Sequence, residues 1–244
     1  MDLQRARICK GCWERMHVPI PLRGLWSAPF RAFGIRPSRM NPNLCTICEL
    51  SFSTVMRARN ISVDATVMFV DLRNYTGLSQ SMAADAMSGL LDMFYDTCAK
   101  AIWEQDGLLN KTIGDAVMAV FNFPISHADH AQRAVAAARE IQACCHEAKQ
   151  SMASTLGPGC SELGVGIGIS TGQVSFGEFG RSHRDMTAIG TVVNTAARAQ
   201  TAAGPGKILV TRAVVDSVGG DLASRPPMQH TLKGFADAID LYEA

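Results

Sequence analysis

The sequence predicts an α+β protein: an antiparallel-rich, ferredoxin-like sheet with helices packed on one face, preceded by a small cysteine-rich module. Three observations predict it. The runs Ala65-Thr-Val-Met-Phe-Val70 and Ala116-Val-Met-Ala-Val-Phe121 are apolar, carry β-branched and aromatic residues, and suit buried strands. Apolar residues between them, including Met87, Leu90, Leu91, Phe94 and Ile102, recur at helical spacing. The order strand, helix, hairpin, helix, hairpin, helix fits a sheet layered with helices.

In chain order, residues 1–50 stand apart as a Cys-, Arg- and Pro-rich module. Cys9-Lys-Gly-Cys12 and Cys45-Thr-Ile-Cys48 form two CxxC pairs, which together offer four thiolate ligands. A structural Zn²⁺ site, an iron–sulfur cluster and metal-free reduced cysteines all remain open, because spacing alone does not separate them. The prolines between the pairs exclude one continuous helix or strand. Arg23, Arg31, Arg36 and Arg39 form either a solvated face or an anion-binding set. Residues 51–62 read as a helical connector, part of a helix from Leu44 to about Asn60. A catalytic domain spans 63–244.

In that domain, a first strand ends at Asp71 and a helix runs from about Ser79 to Gln105. The stretch Gly107–Phe121 reads as a hairpin turning at Gly114-Asp115. A helix follows from about His127 to Met152, with His127 and His130 as solvated first-turn residues. Leu163-Gly-Val-Gly-Ile-Gly-Ile-Ser-Thr171 alternates glycine with β-branched residues, as a strand packed closely on a helix or another chain would. A turn is expected at Gly172-Gln173, with Val174–Gly177 returning. A helix over Thr191–Thr201 places Asn194 and Arg198 on one face. Asp71 and Asp115 are either turn and capping residues or a carboxylate pair suited to a hard divalent cation.

The formal net charge of +1 predicts no nucleic-acid footprint. No segment approaches the roughly 20 apolar residues of a membrane span. The opening residues lack the apolar core of a signal peptide, so a cytoplasmic protein with reduced thiols is expected.

Three motifs carry a family resemblance. Phe69-Val-Asp71-Leu72-Arg-Asn-Tyr-Thr76, Lys111-Thr-Ile-Gly-Asp115 and Thr187-Ala-Ile-Gly-Thr-Val-Val-Asn194-Thr-Ala-Ala-Arg198 together resemble the class III nucleotide cyclase catalytic domain. The resemblance covers about residues 63–244 and implies the turn-residue reading of Asp71 and Asp115 is wrong. It implies a homodimer whose active sites are shared between two chains. Asp71, Asp115 and the Leu72 carbonyl would hold two Mg²⁺ or Mn²⁺ ions. Lys111 and Thr187 would bind the purine, Lys233 the terminal phosphates, Asn194 the ribose, and Arg198 the charge developing at phosphorus. A lysine donor facing N1 favours ATP over GTP, implying an adenylate cyclase. The alternatives are a catalytically silent redox or nucleotide sensor, or a guanylate cyclase. Two departures stand out: Asn74-Tyr75 replaces the family's usual Gly-Phe, and Thr191 replaces a common Asp.

Overall fold

The computed structural model describes residues 6–80, 83–151, 163–180, 185–232, 234 and 237–244. Lys233 lies outside them.

Helix α1 (Lys10–Met16) is capped by Cys9, whose sulfur accepts from the Cys12 amide. A 3-10 turn, Leu25–Ser27, leads into α2 (Ala28–Ala32). Helix α3 (Thr46–Ala58) begins directly after Cys45. It is no free stalk. Phe52 and Met56 are buried, the Phe52 ring lies 5.6 Å from that of Phe123, and Arg57 pairs with Glu178 at 3.2 Å.

Strand β1 (Ile61–Arg73) is followed by α4 (Tyr75–Ser79) and α5 (Ala84–Glu104). The hairpin β2 (Leu108–Ile113) and β3 (Ala116–Phe121) closes through the expected two-residue turn, with Gly114 at φ 60°. Next come α6 (His130–Ser151), β4 (Gly164–Phe179), β5 (Asp185–Ile189) and α7 (Thr191–Ala202). The chain closes with β6 (Lys207–Thr211), α8 (Arg212–Val218), β7 (Met228–His230) and β8 (Ile239–Glu243).

The eight-stranded sheet has the order β2-β3-β1-β4-β6-β8-β7, with β5 paired to β4 off this path. The β4–β6 pair is parallel and the other ladders are antiparallel.

Two expectations need correction. Gly172-Gln173 is not a hairpin turn. Residues 164–179 form one strand, because β1 is long enough to pair with β4 from Arg73↔Gly164 to Ile61↔Phe176. Gly172 adopts φ 141°, and the pairing with β1 runs unbroken through it, Ala65↔Gly172. The helices also cover both faces of the sheet. Met68, Val70 and Leu72 of β1 pack with Leu90, Phe94 and Ile141 from α5 and α6. Ala65 and Val67 point the other way, toward Met56, Val193 and Ala196 from α3 and α7. The continuous burial of Ala65–Met68 is what a strand covered on both sides shows, and an apolar run without alternation was its signal.

Candidate active site and cysteine cluster

Asp71 sits near the end of β1, opposite Ala116 of β3 and Gly166 of β4. The Leu72 N–H donates to the Asp115 carbonyl at 3.1 Å, which pins the Gly114-Asp115 turn beside that strand end. From α5, the Tyr95 hydroxyl donates to the Gly114 carbonyl and braces the same turn. The two aspartates are therefore neighbours. Burial pushes the Asp71 carboxyl above its ordinary range; Arg73 pulls it back down, and the nearby Asp115 charge adds to the upward push. Two carboxylates converging in a partly buried place form a hard-oxygen donor set that fits a divalent cation.

Arg73 was not foreseen as part of this site. It lies two residues beyond Asp71, on the same face of the strand, and its guanidinium reaches an Asp71 oxygen at 3.0 Å. It also donates to the Gln200 carbonyl, while its Nε is buried without a partner. A glycine makes room for it: a Cβ on Gly166 would stand 2.4 Å from that Nε.

Asn74 accounts for one departure from the family pattern. It adopts φ 62° and ψ 18°, a left-handed conformation in which glycine is easiest and asparagine the next most tolerant residue.

Lys111 of β2 forms an ion pair with Asp185 of β5. Thr187 of β5 donates its hydroxyl proton to Asn110 Oδ1 at 3.2 Å, and the Asn110 amide donates to the Met186 carbonyl at 3.0 Å. Asn110 occupies an irregularity in the β2–β3 register between Leu109 and Lys111, which frees it to bridge to β5. The structure thus brings Lys111 and Thr187 into one neighbourhood. Asn110 and Asp185, which hold them, carry no sequence signal beyond lying next to Lys111 and two residues before Thr187.

Helix α7 carries Asn194 and Arg198. It lies directly on β4, where a Cβ on Gly168 would meet Gln200 N at 2.1 Å and Ala196 O at 2.3 Å. The glycine alternation is therefore the footprint of a helix rather than of another chain. Val193, Ala196 and Ala199 turn inward, which leaves Asn194 exposed and Arg198 half-buried on the outer side. Among the described residues, neither side chain makes a hydrogen bond or ion pair. No such contact joins them to the aspartate pair or to Lys111 and Thr187.

In the N-terminal module, the sulfurs of Cys9, Cys12, Cys45 and Cys48 lie within 4.8 Å of one another, and all four residues are buried. The nearest approaches are 3.4 Å for Cys12–Cys48, 3.5 Å for Cys12–Cys45 and 3.6 Å for Cys9–Cys48. Backbone amides of Cys12 and Cys45 point at the Cys9 sulfur. Thiol donors from Cys48 and Cys9 pull Cys45 down toward the thiolate. Burial pushes Cys12 up to about 12, and competition with Cys45 drives Cys48 up as well. Four thiols this close cannot all ionise unaided, so the donor set suits a cation that neutralises them together.

The module is fastened to the domain at the α5–β2 junction. Asp106, 3% exposed, meets Lys10 at 2.6 Å, the Asn43 amide at 2.8 Å and His127 at 3.0 Å. The Leu109 amide and the Trp103 indole both donate to the Met40 carbonyl, at 3.1 and 2.8 Å. His127 is thus part of this anchor, not a solvated first-turn residue, and α6 starts only at His130. His130 in turn is bonded to Thr66 at 2.7 Å, and burial lowers its pKa.

The mixed α+β sheet, with Asp71 near the end of β1 and Asp115 in the turn beside it, fits a nucleotide cyclase domain. The model of the family "Adenylate and Guanylate cyclase catalytic domain" matches residues 58–234, and the chain belongs to that family. Adenylate cyclase 1 of Rhizobium meliloti is 29% identical over 189 residues, covering 74% of this chain and 27% of that protein. An adenylate cyclase of Anabaena cylindrica is 31% identical over 185 residues, covering 73% and 36%. The chain thus spans about a third or less of these relatives' lengths. Among solved structures, the adenylyl cyclase CyaB from P. aeruginosa superposes with TM-score 0.67 at 27% identity, over 76% of this chain and 95% of that one. The guanylyl cyclase Cya2 gives 0.68 at 25% identity, over 75% and 92%. Among the described residues no helix is long and apolar enough to cross a membrane.

Proposed function

We propose that this chain is an adenylate cyclase, converting ATP to 3′,5′-cyclic AMP and pyrophosphate at sites shared across a homodimer. The observation that carries this reading is the Leu72–Asp115 backbone bond, which supports placing both carboxylates against one nucleotide. Asp71, Asp115 and the Leu72 carbonyl would hold Mg²⁺ or Mn²⁺. When bound, such ions supply Lewis-acid activation of the 3′-hydroxyl and neutralise the triphosphate. Asn194 orients the ribose, and Arg198 stabilises charge developing on phosphorus as the 3′-oxygen attacks in line. Lys233 would reach the terminal phosphates.

Base choice follows from hydrogen-bond polarity. Lys111 donates to adenine N1. Thr187, its proton committed to Asn110, presents lone pairs to the 6-amino group. Guanine offers N–H at N1 and a carbonyl at C6, which reverses both requirements. The exposed Asn194 and half-buried Arg198, without a side-chain partner among the described residues, fit a surface completed by a second chain. In the test, Asp71→Ala and Arg198→Ala chains are mixed. Each alone is expected to be inactive, and the heterodimer to regain one working site with ATP but not with GTP. Continued inactivity in a verified heterodimer would end the shared-site reading, and a preference for GTP would move the assignment to guanylate cyclase.

The cysteine cluster is read as a structural Zn²⁺ site. A tetrahedral zinc tetrathiolate with Zn–S of about 2.3 Å spaces its sulfurs by about 3.8 Å. The 3.4–3.6 Å approaches match one ion better than a polynuclear cluster, which must seat several irons and sulfides between the ligands. Anaerobically purified protein is expected to be colourless, with one zinc per chain. A brown protein containing iron would replace zinc by an iron–sulfur cluster.

A further inference from the structure

The N-terminal module carries an exposed apolar surface that the catalytic reading does not use. Leu25 is 93% exposed, Trp26 84% and Phe33 86%. Ala28, Pro29 and Ala32 between them are exposed too. They sit on the 3-10 turn and the short helix α2, the part of the module that Ser27 secures by donating its hydroxyl to the Gly24 carbonyl at 2.7 Å. Single exposed apolar residues are ordinary; a run of them carrying a tryptophan and a phenylalanine is not.

The charge along this stretch of chain has one sign. From Arg15 to Cys48 every charged residue is an arginine, in a chain whose overall charge is only +1. Arg31, Arg36 and Arg39 are exposed, and among the described residues none is in an ion pair. Beside Trp26 opens a groove of about 730 Å³, walled by Ile8, Pro21 and Phe30 with Arg7 and Arg23 at its side. The Arg23 guanidinium donates to the Ala6 and Pro42 carbonyls, which fixes this wall to the body of the module.

We propose that Leu25–Phe33, with Arg31, Arg36 and Arg39, is a monotopic surface that docks the protein on an anionic phospholipid bilayer. Trp26, Leu25 and Phe33 enter the headgroup–acyl boundary, where amphipathic aromatic and aliphatic side chains partition. The arginines meet lipid phosphates, and the groove beside Trp26 accommodates part of a lipid. Charge selects this occupant. A second copy of the chain meeting the same face would set arginine against arginine, whereas an anionic bilayer complements the patch along its whole length. The anchor at Asp106 then holds the catalytic domain at a fixed attitude to the membrane, with no spanning segment required.

Flotation of the full chain with vesicles tests this. The chain is expected to float with phosphatidylglycerol-containing vesicles and to stay behind with pure phosphatidylcholine. Binding should fall steeply near ~1 M salt, where the Debye length shrinks to ~3 Å. Replacing Arg31, Arg36 and Arg39 by glutamine should weaken binding roughly a hundredfold. Trp26→Ser with Phe33→Ser should weaken it about tenfold or more. All five residues are exposed, so zinc content and circular dichroism should match the parent chain. Equal binding to both vesicle types, or unchanged binding by either variant set, would overturn the proposal. So would a vesicle-independent oligomer that the Trp26→Ser, Phe33→Ser chain loses, since the face would then join copies of the protein.

Discussion

Asp71→Ala is expected to lower cyclic AMP production about a thousandfold or more, the equivalent of ~4 kcal/mol of transition-state stabilisation. The fold should survive. The pair with Arg73 is only partly buried, and such contacts contribute about 1 kcal/mol. Removing the carboxylate also relieves its repulsion with Asp115, and Arg73 keeps the Gln200 carbonyl. The informative companion is Asp71→Asn. It preserves shape and can still accept from Arg73, but it cannot supply the charge a divalent cation needs. Both variants should be inactive with Mg²⁺ and with Mn²⁺, at a melting temperature close to the parent's. An active asparagine variant would show that Asp71 acts as a hydrogen-bond acceptor toward Arg73, not as a metal ligand.

Asp106→Ala has the largest expected effect on stability. Its carboxylate is nearly sealed from solvent and collects Lys10 and Asn43 from the module, His127 from the segment before α6, and Arg133 at 3.8 Å. Breaking a buried, bonded charge cluster from one side costs about 3–5 kcal/mol. Asp106 also sits at φ 57°, where alanine is strained and asparagine is tolerated. In a protein of this size the melting temperature should fall by roughly 10 °C. Tryptic cleavage within the module should become faster, because its backbone would open more often. Asp106→Asn, which keeps the backbone geometry and part of the hydrogen bonding, should fall in between. A melting temperature unchanged by Asp106→Ala would mean that the module is held by its apolar contacts alone.

How much of this was readable from residues varies with the length scale of the signal. The hairpin is legible because Gly-Asp between two apolar runs is a local instruction, and the approach of Asp115 to Asp71 follows from the pairing of β1 with β3. The CxxC pairs were legible as a unit because each is a local spacing. Contacts between distant segments were not. Nothing near Asp106 announces that Lys10 and His127 will converge on it, and His127 therefore read as solvated. The β4 glycines signalled a close approach, but only the register with β1 shows that the strand runs on through Gly172. Helices on the second face were missed because α7 and α3 are separated in sequence by most of the sheet they jointly cover.

The bond from the Leu109 amide to the Met40 carbonyl has a practical implication for anyone trimming this protein. The family-matched region starts at residue 58, and a gene cut there would look complete. Yet β2 is the outermost strand on its side of the sheet, and Met40 and Asn41 are what shield its start. Shorn of them, the fragment would present bare main-chain donors beside uncovered Phe123 and Val67, an invitation to stick to its neighbours in the tube. Assays on so short a version would report on clumping as much as on catalysis.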